Sequence, residues 1–225
     1  ESLVKIKENG VTGSGLPTYG TAVLVNIINE AGMLPTNNFQ LSQFADADDI
    51  SGETLADKFL IKNTACYGCP IACGRHVRIG DGEGGGPEYE TIWAFGSDLG
   101  INDLNEIILA NHMCNEMGID TISAGSTLAA AMELYQRGYI KDEELDGMKL
   151  EFGDAASMTE WMRKTGLREG FGDKIALGSY RLAESYGRSD LSMSVKKLEM
   201  PAYDPRGVQG PVSYTHLTLP TKRIV

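Results

Sequence analysis

The chain has 225 residues, 42% of them hydrophobic and 23% charged, enough to enclose the core of one large domain or two small ones. Its 31 acidic side chains outnumber the 20 basic ones, for a formal net charge of −11, so the averaged field repels nucleic-acid backbones and anionic lipid heads. No stretch approaches the roughly 20 apolar residues of a bilayer span, and the first residues lack the basic-then-apolar order of a signal peptide. A cytoplasmic protein without nucleic-acid or membrane partners is the expectation.

Residues 1–19 are polar and punctuated by Gly10, Gly13, Gly15 and Pro17, with no sustained period of 2 or 3.6; they read as the arriving end of something longer. From Gly20 onward, Leu24, Ile27, Ile28 and Ala31 fall at i, i+3, i+4 and i+7, and Gly32 followed by Pro35 supplies a stop. This spacing predicts a helix with one buried face. A second helix is expected from Ser51, as N-cap, through Leu55, Phe59 and Leu60, delivering the chain to Cys66. The densest glycine cluster, Gly82 and 84–86, precedes Pro87-Glu88-Tyr89-Glu90 and an apolar stretch with Trp93 and Phe95; glycine there permits close backbone approach.

Asp103 is placed to cap a helix carrying Leu104, Ile107, Ile108, Asn111 and Cys114 on one face, and Gly118 ends it. Residues 121–138 read as another helix, whose small-residue first half suits close packing against a neighbour or a ligand. Amphipathic stretches at about 157–165 (Met158, Trp161, Met162) and about 173–186 (Ile175, Leu177, Leu182) follow. These six helical segments, with hardly any alternating strand pattern, predict a mainly α fold. Residues 211–225 turn Thr-rich with a basic end, and a truncated or foreign terminus is expected there.

Four cysteines are too few for a disulfide scaffold, and three crowd together as Cys66-Tyr-Gly-Cys69-Pro-Ile-Ala-Cys73, a C-x2-C-x3-C pattern. Three thiolates on one short loop can reach three corners of a single metal centre. Gly68 and Gly74 let the backbone curl so that amides point at cluster sulfurs, and Pro70 stiffens the turn, features that favour iron–sulfur. A Cys3His zinc site completed by His76 is an alternative, and three inert buried cysteines another. Cys114 lies on the apolar stripe of its helix and reads as a small hydrophobe, which leaves the fourth cluster ligand absent or outside the chain.

The run from Gly84 to Glu90 would by itself be a solvated loop. Trp93 and Phe95 should draw it into the core with a carboxylate, and desolvation fits such a group for general acid–base work. In segment 115–121, Gly118 as C-cap and Asp120 as N-cap give a sufficient structural account; the exposed amides and carboxylate at this helix junction could equally hold a polar cofactor edge. Arg75 stands where it could offset thiolate charge or join a surface salt bridge.

In this order, Tyr19-Gly-Thr-Ala, Asn29-Glu-Ala-Gly-Met-Leu-Pro-Thr, Ile50-Ser-Gly-Glu, the cysteine loop, Gly85-Gly-Pro-Glu-Tyr-Glu-Thr, the 115–123 segment and Tyr203-Asp-Pro-Arg-Gly resemble the aldehyde ferredoxin oxidoreductase family. The resemblance implies tungsten, or molybdenum, on two pterins beside a [4Fe–4S] cluster, and oxidation of a small aldehyde to a carboxylate with ferredoxin as electron acceptor. It makes Cys66, Cys69 and Cys73 three cluster ligands and places Glu90 close to the metal. Asn115, Gly118, Asp120 and Thr121 would bind one pterin, Asp120 by a hydrogen bond. The family pattern often has Asp at position 115; Asn accepts a hydrogen bond but brings no charge. A homodimer is also implied, although Leu109-Ala-Asn-His112 stands where some members carry a dimer-bridging Glu-x-x-His metal site.

The same resemblance divides the chain into a helical cluster- and pterin-binding middle domain (residues 1–195), the start of a further helical domain (196–210) and a non-native tail (211–225). The family's N-terminal β domain, fourth cysteine and second pterin stretch would then lie outside this chain, and the fragment would be inactive alone. Relatives of this fold also reduce activated carboxylates or aromatic thioesters. A non-catalytic helical module with a structural zinc or electron-relay site is the competing reading.

Overall fold

A computed structural model describes residues 2–207. Its first segment buries nothing: helix α1 (Ser2–Glu8), a π-helical turn (Val11–Gly15) and helix α2 (Leu16–Tyr19) contribute no buried side chain. Without a buried face there is no apolar stripe to announce a helix. Gly20 then turns the chain at φ +70°, where a Cβ would stand 3.0 Å from the Cys73 carbonyl oxygen. The chain thus passes directly against the end of the cysteine loop.

Helix α3 (Leu24–Glu30) is entered through a 3-10 turn at Thr21–Val23, and its buried face consists of Ala22, Val25 and Ile28. Ile27, expected inside, is 54% exposed, and Ala31 is exposed as well. The entry turn winds three residues per turn, which aligns positions 22, 25 and 28 instead. Helix α4 (Gly52–Lys58) starts where expected, with Ser51 Oγ accepting the Thr54 N–H at 3.2 Å.

The chain does not pass from α4 straight into the cysteines. It forms an antiparallel sheet of β1 (Leu60–Thr64), β2 (Gly74–Ile79) and β3 (Gly82–Gly85), paired in that order. Thr64 lies opposite Gly74 and His76 opposite Gly85, so Cys66, Cys69 and Cys73 all sit in the loop of a β-hairpin. This small sheet stands where the sequence showed hardly any alternating pattern, and it leaves the fold mainly α. Its alternation was illegible because β1 exposes four of five residues, β2 buries an arginine beside Val77, and β3 is mostly glycine. Two glycines of this segment serve close packing: a Cβ at Gly86, just past β3, would meet Val77 Cγ1 at 2.7 Å, and one at Gly84 would meet Ile79 Cδ1 at 2.8 Å.

Helix α5 (Tyr89–Phe95) follows, buried at every position but Glu90, and a helix apolar on nearly all sides shows no 3.6 stripe. Helix α6 (Leu104–Met117) is capped by Asp103, whose carboxylate accepts the N–H groups of Asn105 (3.0 Å) and Glu106 (3.2 Å); Leu104, Ile107, Ile108, Asn111 and Cys114 are all buried. Helix α7 (Thr121–Gln136) lays its small residues on α5, where a Cβ at Gly125 would stand 2.5 Å from the Ala94 carbonyl oxygen. The neighbour those small side chains serve is therefore a helix.

Helix α8 (Met158–Leu167) buries Met158, Trp161 and Met162 as expected. The single helix expected at 173–186 is two, α9 (Gly172–Ile175) and α10 (Ser179–Ser185), separated at Gly178, whose φ of +86° no helix accommodates. Strands β4 (Ser194–Val195) and β5 (Leu198–Glu199) form a short hairpin whose turn is Lys196-Lys197. Ten α-helices among the described residues make the fold mainly α. Residues 211–225 lie outside the described residues.

Candidate active site and cysteine loop

The approach to Glu90 is built from backbone contacts. Gly86 N–H donates to the Arg75 carbonyl at 2.9 Å, which joins the glycine segment to strand β2. Thr21 Oγ1 donates to Glu88 Oε2 at 2.5 Å and accepts the Tyr89 N–H at 2.9 Å, fixing the start of α5 against the turn before α3. Glu90 occupies the first helical turn that follows.

Its carboxylate is partly buried, and Oε2 accepts the backbone N–H of Ala202 at 2.9 Å. Desolvation pushes its pKa above the ordinary carboxylate value, and the Ala202 hydrogen bond opposes that shift. Tyr89 Oη donates to the Ala202 carbonyl at 2.7 Å, and the Tyr89 and Tyr203 rings lie 5.7 Å apart. Residues 201–203 thus lie across α5 as a strap. Residue order did not reveal Ala202 as the partner of both the Glu90 carboxylate and the Tyr89 hydroxyl, since these contacts join positions more than a hundred residues apart. The Tyr203-Asp-Pro-Arg-Gly motif was the signal available.

Segment 115–121 adopts the capped-junction geometry. Gly118 (φ +68°) closes α6, with its N–H on the Asn115 carbonyl (3.3 Å) and the Ile119 N–H on the Cys114 carbonyl (2.9 Å), a Schellman arrangement. Asp120 caps α7, accepting the Ser123 N–H at 2.7 Å. Asn115, Gly118 and Asp120 are exposed and Thr121 is half-buried. The Thr121 and Thr91 hydroxyls meet at 2.8 Å, so the start of α7 touches the residue beside Glu90. Glu90 and the candidate cofactor stretch therefore belong to one region.

In the hairpin loop, Cys69 N–H donates to the Cys66 carbonyl at 3.0 Å, while Gly68 (φ +72°) and Ala72 (φ +54°) curl the backbone through left-handed conformations. All three thiols are free, Cys66 exposed and Cys69 and Cys73 half-buried. Among the described residues no three His, Cys, Asp or Glu side chains close on a common point. His76 directs Nε2 to Glu83 on the adjacent strand, 3.4 Å away. Cys114 is fully buried, and burial pushes its thiol up to about 12, which suits a hydrophobe and no ligand.

Arg75 is neither a surface ion pair nor a free counter-charge. It is 3% exposed, and its guanidinium donates to the carbonyls of Leu16 (3.3 Å), Pro17 (3.2 Å), Thr18 (3.0 Å), Ala72 (2.6 Å) and Cys73 (3.2 Å). Desolvation pulls its pKa down, opposed by Cys73 and Glu88. One buried cation thereby ties the cysteine loop to the end of α2. The three free thiols of this loop, one exposed and two half-buried, are a donor set suited to a soft metal or an anionic iron–sulfur cluster.

Among the described residues no helix is long and apolar enough to cross a membrane. Comparison with known proteins matches residues 1–218 to the family model "Aldehyde ferredoxin oxidoreductase, domains 2 & 3". The chain is 58% identical over 212 residues to a tungsten-containing aldehyde ferredoxin oxidoreductase of Pyrococcus furiosus and 55% identical to that of Thermococcus kodakarensis; each alignment covers 93% of this chain and 35% of the relative. The chain thus spans about a third of the length of these curated relatives. The active-site complex of a benzoyl coenzyme A reductase shares the fold, with a TM-score of 0.63 over 76% of this chain and 26% of that one, at 23% identity. With the capped junction, the cysteine hairpin and the strapped carboxylate in the matched region, the chain belongs to the aldehyde ferredoxin oxidoreductase family.

Proposed function

We propose that this chain is part of a tungsten- or molybdenum-pterin enzyme that oxidises a small aldehyde to a carboxylate and delivers the electrons to ferredoxin. The names of its relatives support tungsten. Cys66, Cys69 and Cys73 would hold three irons of a [4Fe–4S] cluster, and Asn115, Gly118, Asp120 and Thr121 would bind a pterin edge. When bound, the pterin-held metal supplies a two-electron acceptor and the cluster divides the pair into single electrons.

Oxidation of an aldehyde with water yields a carboxylic acid, two protons and two electrons. Glu90 takes up a proton at its carboxylate as water adds to the carbonyl carbon, a task that desolvation favours by raising its basicity. The Ala202 N–H holds Oε2 and leaves Oε1 for the proton. Arg75 holds the cysteine loop against the end of α2 through the Cys73, Ala72 and Thr18 carbonyls.

The observation that carries this reading is that the partly buried Glu90 and the free-thiol hairpin are one structural unit, joined by Gly86 N–H to the Arg75 carbonyl. The test is purification of the full-length protein under anaerobic conditions. Tungsten or molybdenum, iron, acid-labile sulfide and aldehyde-dependent ferredoxin reduction are expected together. Stoichiometric zinc without colour and without aldehyde oxidation overturns the reading.

A further inference from the structure

The geometry points to Glu199 as a positioning residue that holds the Glu90 strap and the start of α7 in one frame; this rests on the functional reading above. Glu199, in β5, is 9% exposed. Its Oε1 accepts both the N–H (3.0 Å) and the hydroxyl (2.8 Å) of Ser179, the first residue of α10, and its Oε2 accepts the Ser123 hydroxyl at 3.0 Å. Ser123 lies in the first turn of α7, with its own N–H on Asp120. A further link runs from Ser179 to the Ser192 hydroxyl at 2.7 Å.

Three residues beyond Glu199, Ala202 holds Glu90 by its N–H and Tyr89 by its carbonyl. One short stretch therefore grips the candidate cofactor segment at one end and the proton-handling carboxylate at the other. The β4–β5 ladder has only two residue pairs, Ser194 with Glu199 and Val195 with Leu198, too few to set the strap's place by themselves. A buried carboxylate is tolerated only when donors satisfy it, and here the donors are serines on two separate helices. That arrangement fixes position, because each bond is directional and each donor stands on a different element.

The test compares Glu199→Ala with Glu199→Gln in the full-length protein. Two quantities are read, hydrogen exchange in residues 89–95 and 198–204 and steady-state kinetics with an aldehyde. Glu199→Ala is expected to speed exchange in both segments at least ten-fold and to lower kcat at least ten-fold, with KM within two-fold of the parent. Glu199→Gln is expected to keep at least half of kcat, since its amide oxygen still accepts from Ser179 and the Ser123 hydroxyl can turn to accept from its NH2. Exchange and kcat of the Ala variant within two-fold of the parent overturn the proposal, as does an equal loss in the Gln variant, which would make charge the function.

Should Glu199→Ala not fold, Ser123→Ala removes one link alone; a three-fold loss of kcat with faster exchange at 119–124 supports the proposal, and no change overturns it. A parent protein lacking aldehyde oxidation would sink the functional reading, while exchange at 89–95 would still decide whether Glu199 holds the strap.

Discussion

The Glu90 carboxylate accepts the Ala202 N–H at 2.9 Å, across 112 positions of sequence. Burial nonetheless dominates its protonation, so the folded chain holds the Glu90 proton more tightly than the unfolded chain does. The resulting penalty is absent below the ordinary value of 4.5 and grows as pH rises through the higher folded value. Glu90→Gln should therefore melt above the parent at pH 7 and level with it at pH 4, as measured by calorimetry at the two pH values. In the full-length enzyme the same substitution should reduce kcat by about 100-fold or more.

The thiols differ in access by design of the fold. Cys66, Cys69 and Cys73 should react with a chromogenic disulfide in the native chain, Cys66 fastest, while Cys114 should stay silent until the chain is unfolded. A fourth equivalent released from the native protein contradicts the buried placement of Cys114. Cys114→Ala should likewise leave iron uptake on anaerobic reconstitution unchanged, whereas Cys69→Ser should lower it.

Arg75 satisfies carbonyls from two segments that no strand ladder joins. Arg75→Ala should destabilise the chain by about 3 kcal/mol, the cost of leaving several buried acceptors unpaired. Arg75→Lys should recover only part of this, because a point charge cannot reproduce the planar fork. Urea denaturation at neutral pH measures both.

Asp120 caps a 16-residue helix through the Ser123 N–H. Asp120→Ala should cost about 1 kcal/mol, and Asp120→Asn nearly nothing, since both Asp and Asn cap well. If Asp120 also binds a pterin by accepting a hydrogen bond, the Ala variant of the full-length protein should lose pterin beyond what its modest destabilisation explains, as read by fluorescence of the released, oxidised cofactor.

Gly125 lies where α7 crosses α5, and an added methyl would stand 2.5 Å from the Ala94 carbonyl oxygen. Gly125→Ala should destabilise by about 1–3 kcal/mol despite the better helix propensity of alanine. A thermal melt at or above that of the parent would show that the two helices can separate at little cost.

Local rules were enough for the elements whose signals are local. Ser51, Asp103 and Asp120 cap helices because their oxygens reach amides two or three residues on, and Gly118 ends α6 because only a left-handed residue closes it cheaply. The stripes of α6 and α8, the cysteine spacing and the carboxylate beside Trp93 were likewise written in residue order. The tertiary structure alone decided the rest. Helix α5 is buried at every position but Glu90 and α1 at none, so neither carries a period; β2 hides its alternation behind a buried Arg75 whose partners include carbonyls of another segment; and the strap on Glu90 depends on a contact between distant parts of the chain. Hydrogen bonds and burial between such segments exist only once the chain has closed on itself, and no pattern of neighbours along the sequence encodes their distances.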